Sequence, residues 1–444
     1  MSRSKRVLSI LAFLPLLFAA GQEPAQQQQE GPTSKRIEAF IVQLGASVRM
    51  DRDLAARELM SIGAPALPAL ERARNSPDAE IRRRAGEIVD HLRAEIACAA
   101  TLLDLKWKKI PIRLAVEDLA KKTGLPLKLN VPNARPGRAA YSRWITLEGE
   151  DVPLLKVLDQ LCRVGSLQIR WPPKQNMPIM LAPGPASNYP ASYEGPFAVR
   201  LRGLQLTRSV LFGGTPRKTS RLELQFEVVA EPRVTLLSSR PLVLSEAIDE
   251  HGRSLNLQSV RSANQFTRPP TWGIRSPLAG RSFNVKSYLP LPERTGQQLQ
   301  SLSGEVTVDL LTGRDLAVTI EDIGSEVGRR YEIGGAAVLI DSVDATDEQL
   351  DIAIHIEQIR TARGERGGAF FYDSFELADQ NGEVLTASLV TKPNTRIRGQ
   401  SATSQVRLKA MLSEDHKGPW QLLVYRTQNH SYTIPFRFED VPLP

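Results

Sequence analysis

The stretch Ala247-Ile248-Asp249-Glu250-His251-Gly252-Arg253-Ser254-Leu255 is echoed far downstream by Leu377-Ala378-Asp379-Gln380-Asn381-Gly382-Glu383-Val384-Leu385. In both copies an Asp, a Gly three positions on and a Leu three beyond that punctuate apolar sequence, and Gly supplies the positive φ that a tight hairpin turn requires. A second echo links Val318-Thr319-Ile320-Glu321-Asp322-Ile323 with Phe436-Arg437-Phe438-Glu439-Asp440-Val441 at the chain end. From about Gly195 the surrounding texture alternates with period two, as in Leu222, Leu224, Phe226 and Val228, which predicts β-strands with one face inward. The expected outcome is two related antiparallel β-sandwiches, residues 195–319 and 320–444, joined near residue 320.

Upstream of this β-rich region, residues 101–183 repeat a pattern of their own. A strand-like run from Leu102 to Trp107 leads through Ile110-Pro111-Ile112 into an apolar helix face of Val116, Leu119 and Ala120, then Gly124 and a strand from Leu125 to Leu129. The order recurs as Trp144 to Leu147, Val152-Pro153-Leu154, a face of Val157, Leu158, Leu161 and Cys162, then Gly165 and Leu167 to Trp171. Pro suits the first turn of a helix and Gly its stop. The pattern therefore predicts two strand-helix-strand units sharing one sheet. It resembles the short N-terminal domain of secretins and TonB-dependent receptors, which implies a compact docking domain of the cell envelope. The ten-residue alternating strands of a membrane barrel do not follow it.

Residues 35–98 carry helical periodicity instead. Ile37, Phe40, Ile41 and Leu44 share one face; Leu54, Ala55, Leu59 and Ile62 form a second helix; Leu67 and Leu70 follow Pro65 in a third. The fourth starts with Ser76 or Asp78 as cap and places Ile81, Ala85, Ile88, Val89, Leu92 and Ile96 inside. Leu54, Ala55, Leu59, Gly63, Ala66, Leu67 and Leu70, with Asp78, Ile81, Arg82 and Ala85, resemble a HEAT-type repeat. About one and a half units are present, which implies a small helical cap. The chain is thus read as multidomain, α then α/β then β.

The N-terminus has the layout of a secretory signal peptide over residues 1–21: Arg3, Lys5 and Arg6, an apolar run from Val7 to Ala20, then small residues to Gly21. That run is shorter than the roughly 20 residues of a membrane span. Gln-, Glu- and Pro-rich sequence follows, and residues 22–34 read as a flexible linker. The expected location is periplasmic or envelope-associated, with no membrane span after cleavage. The net charge of +8 includes the three leader cations, so the remainder carries a modest +5. Arg82, Arg83 and Arg84 form the densest basic run, read as a solvated helix face, and no nucleic-acid partner is expected.

Motifs for chemistry are sparse, and no catalytic, cofactor or metal residue is assigned. His91, His251, His355, His416 and His430 have no His or Cys at metal-ligand spacing. Asp379 to Gly382 opens like a calcium loop but lacks its regularly spaced oxygens and terminal Glu, so a hairpin turn is expected. Asp341, Asp344, Asp347 and Asp351 read as an acidic connection between strands. Neither a Gly-x-Ser-x-Gly elbow nor a glycine-rich phosphate loop occurs. Cys98 and Cys162, the two cysteines, either bridge the helical segment to the α/β domain or stay as buried thiols.

Three function classes follow. The first is an exported, non-catalytic envelope binding or scaffolding protein that docks on other proteins. The second binds cell-wall polymer or carbohydrate through surface aromatics drawn from Trp272, Tyr288, Phe370, Phe371, Tyr372, Trp420, Tyr425 and Tyr432. The third is a divergent hydrolase in which carboxylates such as Glu223 and Glu227 form an acid-base pair.

Overall fold

The computed structural model describes residues 32–130, 143–170, 178–186, 188–212, 217–255, 257, 282–291, 296–333, 336–359, 375–385, 387–389, 396–398, 401–413 and 415–444. Residues 1–21 and most of 22–34, read from sequence as leader and linker, and Trp272, Phe370, Phe371 and Tyr372 lie outside them. Helix and strand are mixed, with several antiparallel sheets. The chain divides into two compact units, Met1–Gly86 and Glu87–Pro444.

The first unit holds α1 (Pro32–Gln43), α2 (Arg49–Ile62), a 3-10 turn (Ala64–Ala66), α3 (Leu67–Ala73) and the start of α4 (Ala79–Cys98). Helix α1 begins inside the stretch expected to be linker, because Pro32 is preset for a first turn that needs no N–H donor. Ile37, Ile41, Leu44, Ala55, Leu59 and Leu70 are buried as the periodicity predicts. Leu54 is not: it is 48 % exposed, and Ala55 and Leu59 carry the α2 face. Ile96 is exposed as well. Asp78 is the cap of α4, its Oδ1 accepting from the backbone N–H of Glu80 (2.8 Å) and of Ile81 (3.1 Å).

The α/β segment consists of β1 (Leu102–Pro111), α5 (Ile112–Thr123), β2 (Leu127–Leu129), β3 (Trp144–Pro153), α6 (Leu154–Gly165), β4 (Leu167–Arg170) and β5 (Ile179–Pro183). The two copies match closely. Pro111 and Pro153 cap α5 and α6 at φ −58° with ψ 136° and 137°, and each is preceded by a left-handed residue, Lys109 (φ 46°) and Asp151 (φ 49°). The copies do not share one sheet. Antiparallel β1 and β3, which lead into the helices, pair with each other, while β2 and β4, which leave them, both pair with β5. Both helices bury their apolar faces in one core, with Ile112, Val116, Leu119, Val157, Leu158 and Leu161 inside. The helix stops also differ from expectation. Gly124 takes the left-handed conformation after α5, but after α6 it is Ser166 (φ 48°), not Gly165. Gly165 sits close against buried Ile112: a Cβ there would lie 2.3 Å from Ile112 Cδ1, so the Ile112 side chain would have to shift.

The rest of the chain is β: β6 (Ala191–Glu194), β7 (Phe197–Leu211), β8 (Arg217–Ala230), β9 (Thr235–Ser239), β10 (Val243–Asp249), β11 (Ser282–Pro290) and β12 (Gln298–Ile320), then β13 (Arg330–Ile333), β14 (Ala336–Ala345), β15 (Gln349–Ile359), β16 (Phe375–Ala378), β17 (Ala387–Leu389), β18 (Arg396–Arg398), β19 (Ser401–Met411) and β20 (Gln421–Pro442). Among the described residues one sheet runs β11-β8-β7-β6, and a second repeats that order as β19-β15-β14-β13, with β17 and β18 added on β19. A third serves both, in the order β10-β12-β20-β16 with β9 also on β12.

The spine of this third sheet is the long antiparallel pair β12 and β20, from Gln298 opposite Pro442 to Ile320 opposite Leu422. Two cores flank it. The first sheet packs over the opening half of β12 and the closing half of β20, with Leu302, Val306, Ile434, Phe436 and Phe438 inside. The second packs over the closing half of β12 and the opening half of β20, with Ile320, Ile323, Leu422 and Val424 inside. The division near residue 320 separates the chain but not the cores, because each repeat sends its last strand segment into the other's core. The equivalent Asp322 (φ 46°) lies two residues past the end of β12, and Asp440 (φ 52°) two residues before the end of β20.

The α/β segment is fastened to the first sheet. Buried Glu231 accepts from the Thr101 backbone N–H (2.9 Å), the Thr101 hydroxyl (2.6 Å) and Arg233 Nε (3.0 Å). Arg233 also donates to the carbonyls of Ile96 (2.6 Å) and Ala99, where cations suit the C-terminal end of α4. On α6, Asp159 accepts from Tyr193 Oη (2.8 Å) and Arg200 Nη2 (2.7 Å).

Candidate functional site

One corner of the α/β segment collects exposed apolar and cationic side chains. Ile112 at the start of α5 donates its N–H to the Arg143 carbonyl (2.9 Å), and Pro111 lies opposite Trp144 in the β1–β3 register. Arg143 donates from Nη1 to Ser166 Oγ (2.7 Å) and to the Val164 carbonyl (3.5 Å). With Gly165 seated on Ile112, these bonds bring together the first turn of α5, the first residues of β3 and the last turn of α6.

Each of these three segments presents an Arg followed by an exposed apolar residue: Arg113-Leu114, Arg143-Trp144 and Arg163-Val164. Trp144 is 64 % exposed, Val164 48 % and Leu114 45 %. The pattern has a local origin. Ile145 takes the inward phase of β3 and leaves Trp144 outward; Ile112, Ala115, Val116 and Leu119 fill the buried face of α5 and leave Leu114 off it. The nearest carboxylate in sequence is Glu117, which pairs with Arg113 at 3.6 Å. Residues 101–183 hold 14 Lys and Arg against 7 Asp and Glu, a net of +7. The modest charge of the whole chain conceals this local excess.

The acidic residues singled out from sequence lie elsewhere and are engaged. Glu223 on β8 accepts from Lys286 Nζ (2.6 Å), a bond that holds its carboxyl below the usual range, and from Gln225 (3.0 Å). Glu227 on the same strand pairs with Arg200 (3.5 Å) and Arg202 (3.3 Å). Asp379 is buried in its hairpin turn, its Oδ1 accepting from the N–H of Asn381 and of Glu383, both at 2.8 Å, with Gly382 at φ 81°. Burial alone would raise its pKa, but the backbone N–H groups of Glu383 and Asn381 outweigh burial and hold it low. Asp344 lies opposite Asp351 in the β14–β15 hairpin, Asp351 accepts from Arg407 (2.7 Å), and Asp341 accepts from Gln405 (3.1 Å). Among the described residues, no group of three or more His, Cys, Asp and Glu is placed to hold a metal ion.

The Arg run on α4 is more engaged than a solvated face. Arg84 pairs with Glu80 (2.7 Å) and Asp53 (2.9 Å), and Glu80 also takes Arg83 (2.9 Å) and Arg52 (3.3 Å). Hydrogen bonds from Arg83 and Arg84 bring the Glu80 carboxyl down to about 2.

Cys98 and Cys162 are both free thiols. They sit in different cores, Cys98 against the first β core and Cys162 within the α/β core. Burial, aided by Asp159, pushes the Cys162 thiol up to about 12. Of the aromatic candidates, Tyr432 packs on Phe197 with ring centroids 5.4 Å apart and Trp420 packs against the second core. Tyr288 and Tyr425 are half-buried under Arg221 and Arg314 at 3.6 Å and 4.1 Å. Among the described residues the exposed aromatics are instead Trp144 and Phe212, the latter 85 % exposed near the β7–β8 turn. Sequence reading placed Trp144 in a strand but missed its outward phase, for which the buried neighbour Ile145 is the available signal. No helix among the described residues is long and apolar enough to cross a membrane.

No protein-family model, no curated protein and no solved structure matches the chain.

Proposed function

We propose that this is an exported, non-catalytic binding protein of the cell envelope, whose α/β segment docks on another protein while the paired β-sandwiches serve as a rigid mount. One observation carries the reading: Trp144, Leu114 and Val164 are exposed on three chain segments that meet at one corner of a segment fastened to the β layer. Trp and Arg are enriched at the energetic centres of protein interfaces, where a rigid aromatic anchor loses little conformational entropy. The duplicated strand-helix-strand order, with equivalent Pro caps and left-handed residues, supports comparison with the secretin and TonB-receptor short N-terminal domain. The helices of residues 35–98 support a HEAT-like cap. Engagement of Glu223, Glu227, Asp351 and Asp379 by cations or backbone N–H groups favours binding over carboxylate catalysis. Packing of Tyr288, Trp420, Tyr425 and Tyr432 favours protein docking over a polymer-binding aromatic strip.

The test is a scan of photo-crosslinking amino acids over exposed positions of the α/β segment and, as controls, of the two β layers, in cells that make the protein. Discrete adducts concentrated on the α/β segment are expected, together with a mature N-terminus just beyond Gly21. Adducts spread evenly over all surfaces, or confined to the β layers, would remove the docking assignment; a mature chain beginning at Met1 would remove export.

A further inference from the structure

We infer that the corner formed by Arg113-Leu114, Arg143-Trp144 and Arg163-Val164 binds an acidic protein segment that carries an apolar anchor residue. The inference rests on the docking reading above and specifies the chemistry of the partner. Three observations lead to it. The first is convergence: the hydrogen bonds from Ile112 and Arg143 and the seating of Gly165 on Ile112 hold three chain segments, distant in sequence, at one place. The second is the paired composition, since every one of those segments offers one apolar group and one guanidinium. An apolar patch alone would fit many surfaces and a cationic patch alone any polyanion; their interleaving selects a chain that alternates carboxylates with an aliphatic or aromatic side chain.

The third observation is the charge balance. Glu117 pairs with Arg113 at 3.6 Å, while residues 101–183 as a whole carry a net of +7. Arg binds carboxylates with a planar fork of donors, so guanidiniums contributed by three segments that meet at one corner fit the spaced carboxylates of a peptide better than they fit a uniform polymer charge. Arg143 is already oriented by Ser166 Oγ, which lowers the entropy lost when a partner arrives. Trp144 then supplies the desolvated centre and the Arg groups the rim that fixes register.

The experiment uses purified protein and fluorescein-labelled twelve-residue peptides rich in Asp and Glu, made with a central Leu-Phe pair or with Ser-Ser in its place. Binding is followed by anisotropy at two salt concentrations. The Leu-Phe peptides are expected to bind at least about tenfold more tightly than the Ser-Ser controls and to weaken with salt. Trp144→Ala and Arg163→Glu should each reduce that affinity about tenfold or more, and Phe212→Ala, altering an exposed aromatic elsewhere, should not. Equal binding of both peptide sets, of poly-glutamate, or of anionic lipid vesicles would overturn the inference in favour of a plain polyanion site. So would unchanged binding by Trp144→Ala, or no binding by any peptide. Crosslinks on other faces of the α/β segment combined with peptide failure would sink the corner alone; peptide binding without crosslinks in cells would sink the docking role alone.

Discussion

Phe438, six residues from the end of the chain, lies opposite Leu302 and inside the first β core, while its sequence equivalent Ile320 lies opposite Leu422 inside the second. The two repeats thus exchange their closing strand segments along one continuous ladder. Each core is completed by residues covalently attached to the other, so the two layers are expected to unfold as a coupled pair.

This exchange predicts crossed effects of mutation. Phe438→Ala should cost about 3–5 kcal/mol and Ile320→Ala about 2–5 kcal/mol, as for other buried large-to-small changes. In hydrogen exchange, Phe438→Ala should expose amides of β7, β8 and the start of β12 first. Ile320→Ala should expose those of β14 and β15 first. The opposite assignment would mean that each repeat closes on itself.

Gly304 tests the same spine from the backbone side. It lies opposite Phe436 and next to β10, and an added Cβ would come within 2.3 Å of the Val243 carbonyl oxygen and 2.8 Å of the Phe436 ring. Since the obstruction includes backbone, Gly304→Ala should destabilise by roughly 1–3 kcal/mol or more, the range of overpacked sites. A urea midpoint equal to that of the unmodified protein would show that β10 can move aside.

Glu80 sets an acid limit for the helical unit. Its carboxyl is brought down to about 2 by Arg83 and Arg84, against an unfolded value of about 4.3. A depressed pKa stabilises the folded state fully above the unfolded value and loses that contribution as pH falls through the folded one. Stability contributed by Glu80 should therefore be constant above about pH 5 and decline from about pH 4 toward 2. Helical content near 222 nm, followed by acid titration, should show a shallower decline for Glu80→Gln, which has no such proton to take up. Identical titrations would exclude the Arg83–Glu80–Arg84 cluster as the source.

The two thiols should differ in reactivity. Burial pushes Cys162 up to about 12 and also raises half-buried Cys98, so thiolate is scarce at both near neutrality. Iodoacetamide at pH 8 should modify Cys98 slowly and Cys162 only after denaturation, and the non-reduced protein should show no loss of two protons in mass. A two-proton deficit would establish a bridge in place of two free thiols.

Much of this architecture is local and was legible in the residues. The 3.6-residue periodicity of Ile37, Ile41 and Leu44, the alternation of Leu222 to Val228 and the Asp249 and Asp379 turns are set by side chains within a few positions of one another. The equivalent turns form alike: Asp249 accepts from the N–H of His251 (3.0 Å) and Arg253 (2.9 Å), as Asp379 does from Asn381 and Glu383. The duplication of 102–170 was equally visible, down to Pro111 and Pro153. What local pattern does not contain is the choice among partners of like character. The echo of Val318–Ile323 in Phe436–Val441 identifies equivalent strands but leaves open which core each enters, because either end of a long amphipathic strand satisfies the same alternation. Likewise β1 and β3 could share a sheet with β2 and β4 as far as pattern goes. Tertiary packing decided both, along with the gathering of Leu114, Trp144 and Val164 at one corner, since only the finished fold brings residues so far apart in sequence within reach of a single partner.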